Sequence, residues 1–251
     1  MILSEQQKTF WTENGYLAYD QPLLTADEVQ ALAQRTQDIA SGKLNTLPIE
    51  NFSFERGLKE KGIDPDDLHG QERYDAVRLL RFLHRYDDLV LSISKKPAIL
   101  DVVEDLLGPN IKLYTDQFFM KPPFDGGAQG WHQDSGSWVI FAPHDHVTVW
   151  IALDEATEEN GCLHYIPGSH HWGYADPAHL PNLVSQLIDE EVLVPRKPGY
   201  AAIHHSLTHH YTGPNTTPNR RRGIALHYLR SETRYVGNSG DRQPPFVLMR
   251  G

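Results

Sequence analysis

Cysteine is almost absent from this chain, which has a single one, Cys162, among 251 residues. One cysteine excludes an internal disulfide framework and a cysteine-rich zinc site. Positive charge is also scarce, because 23 Lys and Arg stand against 33 Asp and Glu, giving a formal net charge of −10. Contacts with a phosphate backbone need an excess of Lys and Arg, so we do not expect a nucleic acid partner.

Long hydrophobic runs are missing as well. No apolar stretch approaches the roughly 20 residues needed to cross a bilayer. The N-terminal sequence MILSEQQKTFWTENG has no basic region followed by an apolar core, so it does not have the pattern of a signal peptide. We therefore expect a cytoplasmic protein with no membrane partner. With 39% hydrophobic residues, the chain is long enough to bury a sizeable core, and we expect one domain over residues 1–251.

The part of the chain from residue 1 to about 110 shows mostly the signals of helices. The sequences that begin at Ser4 and Thr25 fit the capping box, in which the N-cap side chain and the residue three positions later bond reciprocally. Pro97 and Gly108 bracket a third segment with apolar residues at helical spacing.

From residue 111 to about 230 the pattern changes to short strands separated by Gly, Pro, Asn and Asp. We expect strands at Ile111–Lys121, His146–Leu153, Gly161–Ile166, Tyr200–His205 and Gly223–Leu229. Alternation along the second strand puts Thr148, Trp150 and Ala152 on one face and the aliphatic residues between them on the other. The pattern predicts a mainly β fold, a sandwich or barrel, with flanking α-helices.

Two segments, 42–75 and 172–199, are irregular and contain several Gly or Pro residues. A helical turn is expected in the second of them, around Leu183 to Glu190. Long insertions in a β domain form lids or substrate loops in some proteins and are plain surface decoration in others. The sequence does not choose between these two interpretations.

The first chemical signal is Trp131-His132-Gln133-Asp134. On a strand or at its end, His132 and Asp134 would share a face and could reach one metal ion. A distant histidine would complete the two-His-one-carboxylate set of non-haem Fe(II) oxygenases, which leaves coordination positions open. Alone, His-x-Asp is a weak signal that also occurs in surface turns.

A second signal lies about 78 residues further along the chain, where four histidines, His204, His205, His209 and His210, precede Asn215. Spacing alone does not choose among them for the third ligand position. An arginine triplet, 220–222, follows. Because neighbours on a strand alternate sides, at most Arg221 would point inward, and its two neighbours are expected in solvent.

Taken together, three blocks resemble the phytanoyl-CoA dioxygenase family of Fe(II)- and 2-oxoglutarate-dependent oxygenases. The blocks are WHQD at 131–134, VWIALDEATEENGCLHYIPGSH at 149–170 and HHSLTHHYTGPNTTPNRRR at 204–222. The resemblance covers most of residues 110–230 in the family's order. It implies a double-stranded β-helix core, of the jelly-roll or cupin-like kind, with Fe(II) as cofactor and 2-oxoglutarate as co-substrate.

The resemblance assigns the metal ligands to His132, Asp134 and His210. In the family the distal histidine precedes an Asn by five residues and an Arg by eleven, which fits His210, Asn215 and Arg221. Arg221 is then expected to bind the far carboxylate of 2-oxoglutarate, for which its planar fork is suited. A slip of one residue would give His209 and Arg220 instead.

Further co-substrate contacts are implied at Gln117 and Trp150, although a core aromatic is the plainer interpretation of the tryptophan. The chain departs from the family in reading His210-Tyr211-Thr212 where His-Gly-Ser is common. Thr212 keeps a hydroxyl that could bond near the co-substrate, and the bulkier Tyr211 could alter the pocket wall. Arg78 and Arg81 are weaker candidates for a basic group that approaches the site.

The resemblance implies a hydroxylase that acts on a small-molecule substrate with O₂ and releases succinate and CO₂. The carboxylate of Asp134 favours hydroxylation over halogenation, because related halogenases replace it by a small residue. An apolar substrate wall is expected from Ser135, Trp138, Val139 and Phe141, which suggests a small, partly apolar metabolite. The alternative is a metal-binding barrel that is non-catalytic, or that hydrolyses or isomerises; such a barrel has no need of a buried Arg221 beside the metal.

Overall fold

A computed structural model describes residues 2–55, 57–124, 126–137, 141–175, 190–236 and 246–251. Within these residues the helices are α1 (Glu5–Asn14), α2 (Ala26–Ala40), α3 (Gly57–Glu60), α4 (Gly70–Ala76), α5 (Asp88–Ser94), α6 (Pro97–Leu107) and α7 (Asp134–Ser137). The strands are β1 (Tyr16–Pro22), β2 (Phe52–Phe54), β3 (Val77–Arg81), β4 (Ile111–Lys121), β5 (Gln129–His132), β6 (Phe141–Ala142), β7 (Val147–Ala152), β8 (Leu163–Tyr165), β9 (Val192–Val194), β10 (Tyr200–His205), β11 (His210–Thr212), β12 (Arg221–Arg230), β13 (Arg234–Tyr235) and β14 (Val247–Arg250).

Two antiparallel sheets carry the site. The larger has the order β1-β10-β7-β12-β4-β3-β2, with β14 paired to β4. The smaller has the order β5-β11-β8-β9. These sheets and the flanking helices confirm the predicted mainly β fold with a jelly-roll core.

The helix starts follow from the capping signals. Ser4 and Thr25 each accept a hydrogen bond from the backbone three residues on, and the reciprocal bonds from Gln7 and Glu28 are present. Such reciprocal caps satisfy backbone donors that the first turn leaves without partners. The third predicted helix also forms, as α6.

The first 110 residues are less helical than the sequence suggested, because they also supply β1, β2 and β3 to the larger sheet. β1 pairs with β10, and β3 pairs with β4. The partner of β1 lies near the other end of the chain, and two helices separate β3 from its partner. A search of local patterns therefore does not detect either pairing. The strands β4 and β10, in contrast, have the predicted bounds.

The two faces of β7 divide as the alternation predicts. Val147, Val149 and Ile151 belong to the main apolar core, together with residues of α2, α5 and α6. Trp150 and Ala152 belong to a separate cluster between the sheets. The helices therefore cover one face of the larger sheet and leave its other face to the site.

No helix within the described ranges has the length and apolar character that a bilayer crossing would require. The helical turn predicted around Leu183 to Glu190 lies, except for Glu190, outside the described residues, as do Trp138 and Val139.

Candidate active site

A cavity of about 250 Å³ opens between the inner faces of the two sheets. The side chains of its described wall are imidazoles and one carboxylate, two guanidinium groups, amides, hydroxyls and apolar groups. The lining residues are Leu79, Arg81, Gln117, Phe119, Gln129, His132, Asp134, Thr148, Trp150, Leu163, His204, His210, Thr212, Arg221, Ala225 and His227.

Three of these residues form the one group of His, Cys, Asp or Glu side chains in the described part of the chain that could hold a metal ion. One donor atom from each of His132, Asp134 and His210 lies within 4.8 Å of the others. His132 ends β5 and His210 begins β11, and the two are direct cross-strand partners. Asp134 opens the short helix α7, so it reaches the same point from beyond the strand end.

Backbone carbonyls orient both imidazoles. The Nδ1 of His132 lies 2.8 Å from the carbonyl oxygen of Gly130, and the Nδ1 of His210 lies 2.9 Å from that of Thr208. If Nδ1 donates in each bond, Nε2 is left with a free lone pair. These Nε2 atoms lie 4.0 Å and 3.7 Å from Oδ1 of Asp134. Burial lowers the pKa of both imidazoles, which favours the neutral form that binds metals.

The second carboxylate oxygen of Asp134, Oδ2, is bonded to residues outside the group of His132, Asp134 and His210. This oxygen accepts a hydrogen bond from the Thr148 hydroxyl at 2.6 Å and lies 3.1 Å from Nε2 of His204. The Tyr165 hydroxyl lies 2.9 Å from Nδ1 of His204. Nδ1 of His227 lies 2.9 Å from the Thr148 hydroxyl. Burial opposes ionisation, but the bond from His204 and the nearby imidazoles hold the pKa of the carboxyl well below its usual range.

Arg221 is 1% exposed and lines the same cavity. Its guanidinium makes one hydrogen bond to the described residues, a long one of 3.5 Å from Nε to the carbonyl oxygen of Asn160. No carboxylate of the described residues forms an ion pair with it, while its guanidinium lies 5.5 Å from the Trp150 ring centre. Burial lowers the pKa of Arg221 to about 10, so it is still a cation at neutral pH.

The other predicted co-substrate contacts, Gln117, Trp150 and Thr212, also line the cavity. Register explains two of them, because Gln117, Ala225 and Trp150 are aligned across β4, β12 and β7. Thr212 enters from β11 in the smaller sheet, where it is paired with Leu163. Tyr211 points elsewhere: it stacks on Trp131, with ring centres 5.5 Å apart, and is not among the described lining residues.

The structure separates the four competing histidines. His204 contacts the oxygen of Asp134 that faces away from the triad. His205 lies against Trp11 and His170, and the ring of His209 lies 5.5 Å from that of Trp172.

The expectation that Arg220 and Arg222 lie in solvent is wrong. Arg222 forms a bidentate pair with Asp154, at 2.7 Å and 2.8 Å, and Arg220 pairs with Asp75. Both arginines are only partly exposed. The strand alternation itself still places Arg221 alone of the three on the cavity wall.

The apolar substrate wall was expected from Ser135, Trp138, Val139 and Phe141, but the two of these residues that are described do not line the cavity. Phe141 is fully buried and packs on Tyr114, and Ser135 is buried with its backbone N–H bonded to Ser206. Neither is among the described lining residues, whose apolar members include Leu79, Phe119 and Leu163.

Sequence reasoning missed His227 altogether and missed the contacts that Thr148 and His204 make with Asp134. All three lie on one row across the larger sheet, because His227 and His204 are both cross-strand partners of Thr148. Strand alternation puts Thr148 on the Trp150 face and was available from the sequence. The register that joins the three strands was not.

The donor set fits the iron and the co-substrate that the family implies. Two neutral imidazoles and one carboxylate, with no further His, Cys, Asp or Glu of the described residues in the group, are the ligand type of non-haem Fe(II) sites. A buried guanidinium with no described carboxylate partner fits an incoming carboxylate, because leaving such a charge uncompensated costs several kcal/mol.

Several known proteins are similar to this chain in sequence or in fold. The profile of the phytanoyl-CoA dioxygenase family, PhyH, matches residues 11–223. A probable alpha-ketoglutarate-dependent hypophosphite dioxygenase of Stutzerimonas stutzeri is 29% identical over 99% of this chain and 87% of its own length. A probable phytanoyl-CoA dioxygenase of Caenorhabditis elegans is also 29% identical, over 96% of this chain and 80% of its own. The crystal structure of EctD from S. alaskensis with 2-oxoglutarate and 5-hydroxyectoine has the same fold, with a TM-score of 0.74 and 22% identity over 96% of this chain and 82% of that one.

Proposed function

This chain belongs to the phytanoyl-CoA dioxygenase family, and from that premise we propose that His132, Asp134 and His210 bind Fe(II) while Arg221 binds the far carboxylate of 2-oxoglutarate. The protein is a 2-oxoglutarate-dependent non-haem iron dioxygenase that hydroxylates a small molecule. The observation that carries the residue roles is the convergence of three donors within 4.8 Å beside a buried guanidinium that has no carboxylate partner among the described residues.

In the overall reaction, 2-oxoglutarate, O₂ and a substrate C–H or other X–H bond give succinate, CO₂ and the hydroxylated product. Iron, when bound, supplies the binding and reductive activation of O₂. The protein contributes ligands, orientation and charge. Its carboxylate ligand, Asp134, occupies the position that halogenases leave to chloride, which favours hydroxylation.

Thr148 and His204 position the carboxylate ligand. Both bond to Oδ2 of Asp134, so Oδ1 is the oxygen that faces the two imidazoles. Holding the second oxygen in this way favours a carboxylate that uses one oxygen on the metal, which keeps positions open for the co-substrate and O₂. His227 orients Thr148 in turn.

Arg221 supplies both charge and shape for the co-substrate. Its fork can donate two parallel hydrogen bonds to a carboxylate, and burial strengthens the attraction. Trp150 forms one wall beside the guanidinium. Gln117 and Thr212 line the same cavity and add polar groups that could bond to oxygens of the co-substrate.

The substrate is a small molecule. The described cavity of about 250 Å³ is smaller than the roughly 300–1,000 Å³ of sites for drug-sized ligands, and it must also hold the co-substrate. A coenzyme A ester carries several negative charges, which the net charge of −10 disfavours. The substrates named for the relatives range from hypophosphite to phytanoyl-CoA and L-proline.

We also propose that residues 1–251 act as one domain, because strands from the N-terminal part pair with strands of the core in a single sheet. A cytoplasmic location is part of the same proposal, and cell fractionation tests it.

The test of the proposed function is metal- and oxygen-dependent turnover. Purified protein should bind Fe(II) and 2-oxoglutarate without O₂ and release succinate slowly when O₂ is admitted. A screen of small metabolites should then find compounds that increase succinate release and gain one oxygen atom, detected by mass spectrometry. A protein that binds the metal but neither binds nor consumes 2-oxoglutarate would instead be a metal-binding barrel of another function.

A further inference from the structure

The charges on the cavity wall do not balance. Arg81 from β3 and Arg221 from β12 both line the cavity, and Asp134 is the one carboxylate among its described lining residues. The described lining therefore carries two guanidinium groups and one carboxylate, an excess of one positive charge among these three groups.

Binding of the metal and the co-substrate leaves this excess in place. Fe(II) brings two positive charges and 2-oxoglutarate two negative ones, so their charges cancel. Arg221 is engaged with the far carboxylate in the proposed function, and Asp134 with the metal. The remaining cation is Arg81.

The guanidinium of Arg81 has no hydrogen bond or ion pair with any residue in the described ranges. Arg78, three residues earlier on the same strand, is different: it bonds to the carbonyl oxygen of Ala128 at 3.1 Å and to Oε1 of Gln129 at 2.9 Å. Arg220 and Arg222 pair with Asp75 and Asp154. Arg81 is thus a half-buried residue on the cavity wall whose guanidinium donates to none of the described residues.

Lys121, the cross-strand partner of Arg221, does not change the count. Burial lowers the pKa of its amino group to about 6, and this group donates to the carbonyl oxygens of Gly127 and Gly213 and is not on the described cavity wall. Its contacts are backbone atoms outside the cavity, so Arg81 is the group that is free to meet a ligand.

We propose that Arg81 binds an anionic group of the substrate, so that the enzyme acts on a small acid that carries a carboxylate or a phosphorus oxyanion. This inference rests on the proposed dioxygenase function and specifies its substrate class. One negative charge on the substrate neutralises the loaded cavity, and a planar guanidinium donates two parallel bonds to either oxyanion.

The neighbours of Arg81 describe the rest of the substrate. Gln117 is its cross-strand partner and adds an amide beside the guanidinium. Leu79 and Phe119 form the next aligned pair on the same inner face and also line the cavity. An acid with a short apolar part fits this wall: its oxyanion lies at Arg81 and Gln117, and its apolar part lies against Leu79 and Phe119.

The test uses protein loaded with Ni(II), an inert substitute for iron, and 2-oxoglutarate. The loaded protein is titrated by calorimetry with propionate, with methylphosphonate and with the neutral probe propionamide. We expect at least one of the two anions to bind and propionamide not to bind. Tighter binding of propionate would indicate a carboxylate substrate, and tighter binding of methylphosphonate a phosphorus oxyanion.

Arg81→Gln removes the charge and keeps a polar side chain. We expect it to weaken binding of the anion by about 10–100-fold, which is the value of one or two charge-assisted hydrogen bonds, and to change the affinity for 2-oxoglutarate less than about twofold. Arg85→Gln removes an exposed arginine of the neighbouring segment and should change neither affinity.

The inference is overturned if propionamide binds as well as propionate, if neither anion binds, or if Arg81→Gln binds the anions like the unchanged protein. It is also overturned if Arg81→Gln weakens the binding of 2-oxoglutarate instead of the binding of the anions, because Arg81 would then hold the co-substrate. Failure of the unchanged protein to bind Ni(II) or 2-oxoglutarate is a different result and contradicts the proposed function itself.

Discussion

The two faces of strand β7 do different work, although their residues alternate along six positions. On the helix side, Val149 and Ile151 are buried in the main apolar core. On the cavity side, Thr148 bonds to the carboxylate of Asp134, the proposed metal ligand, and Trp150 lies beside Arg221. The comparison teaches that one strand can supply stability through one face and chemistry through the other, so substitutions on the two faces should affect different measurements.

The largest effect is expected on the cavity side, at the carboxylate ligand. Asp134→Ala should reduce succinate formation to background and weaken metal binding by more than the roughly 10–100-fold that follows the loss of an outer-shell partner. Metal affinity from calorimetry and succinate from chromatography check this. Asp20→Ala, which removes an exposed carboxylate on β1, is the control. Normal turnover in Asp134→Ala would contradict the ligand assignment.

A large but more selective effect is expected at Arg221. Arg221→Ala should raise the KM for 2-oxoglutarate by at least about 30-fold, since loss of one partner of a buried charge pair costs roughly 2–5 kcal/mol. Metal affinity measured without co-substrate should change little. Arg220→Ala is the matched control, because Arg220 pairs with Asp75 away from the cavity. Equal KM values in both variants would exclude Arg221 as the co-substrate anchor.

A smaller effect is expected from the hydroxyl behind the carboxylate. Thr148→Val keeps the side-chain shape but removes the 2.6 Å bond to Asp134, and should weaken metal binding by about tenfold. Thr115→Val is the control, because Thr115 lies in the same row but its hydroxyl bonds to a backbone carbonyl. If both variants bind metal alike, Thr148 does not position the carboxylate.

The smallest effect on chemistry is expected on the helix side of β7. Val149→Ala should lower the free energy of unfolding by about 2 kcal/mol through lost burial and a small cavity, which lowers Tm by roughly 4–8 °C in a protein of this size. The KM for 2-oxoglutarate should not change, as measured beside a thermal melt. A raised KM with an unchanged Tm would mean that the two faces are not separate.

The same comparison shows what could be predicted from the sequence. Alternation in the segment 147–152 was enough to assign Trp150 to the cavity face, and local caps were enough to place the starts of α1 and α2. These features depend on neighbours within a few residues. The bonds from Thr148 and His204 to Asp134 depend on register between distant strands, which no local pattern records.

Arginine shows the same limit. Alternation predicted that Arg221 alone of its triplet would face inward, but not that Arg222 would find Asp154 or that Arg220 would find Asp75. The sequence named Arg78 and Arg81 as candidates for a basic group near the site but could not choose between them. Arg81 is the one on the described cavity wall, while the Arg78 side chain bonds to Ala128 and Gln129. The prediction of an apolar wall at Phe141 was wrong because that side chain packs on Tyr114 instead.

The central claim is that one metal ion binds between His132, Asp134 and His210 with 2-oxoglutarate held by Arg221. Anomalous diffraction from crystals grown without O₂ in Fe(II) and 2-oxoglutarate tests it most directly. The account predicts one iron peak bounded by the two Nε2 atoms and Oδ1 of Asp134, with the far carboxylate of the co-substrate on the Arg221 guanidinium. Iron bound to other side chains, or a co-substrate that does not contact Arg221, would contradict it.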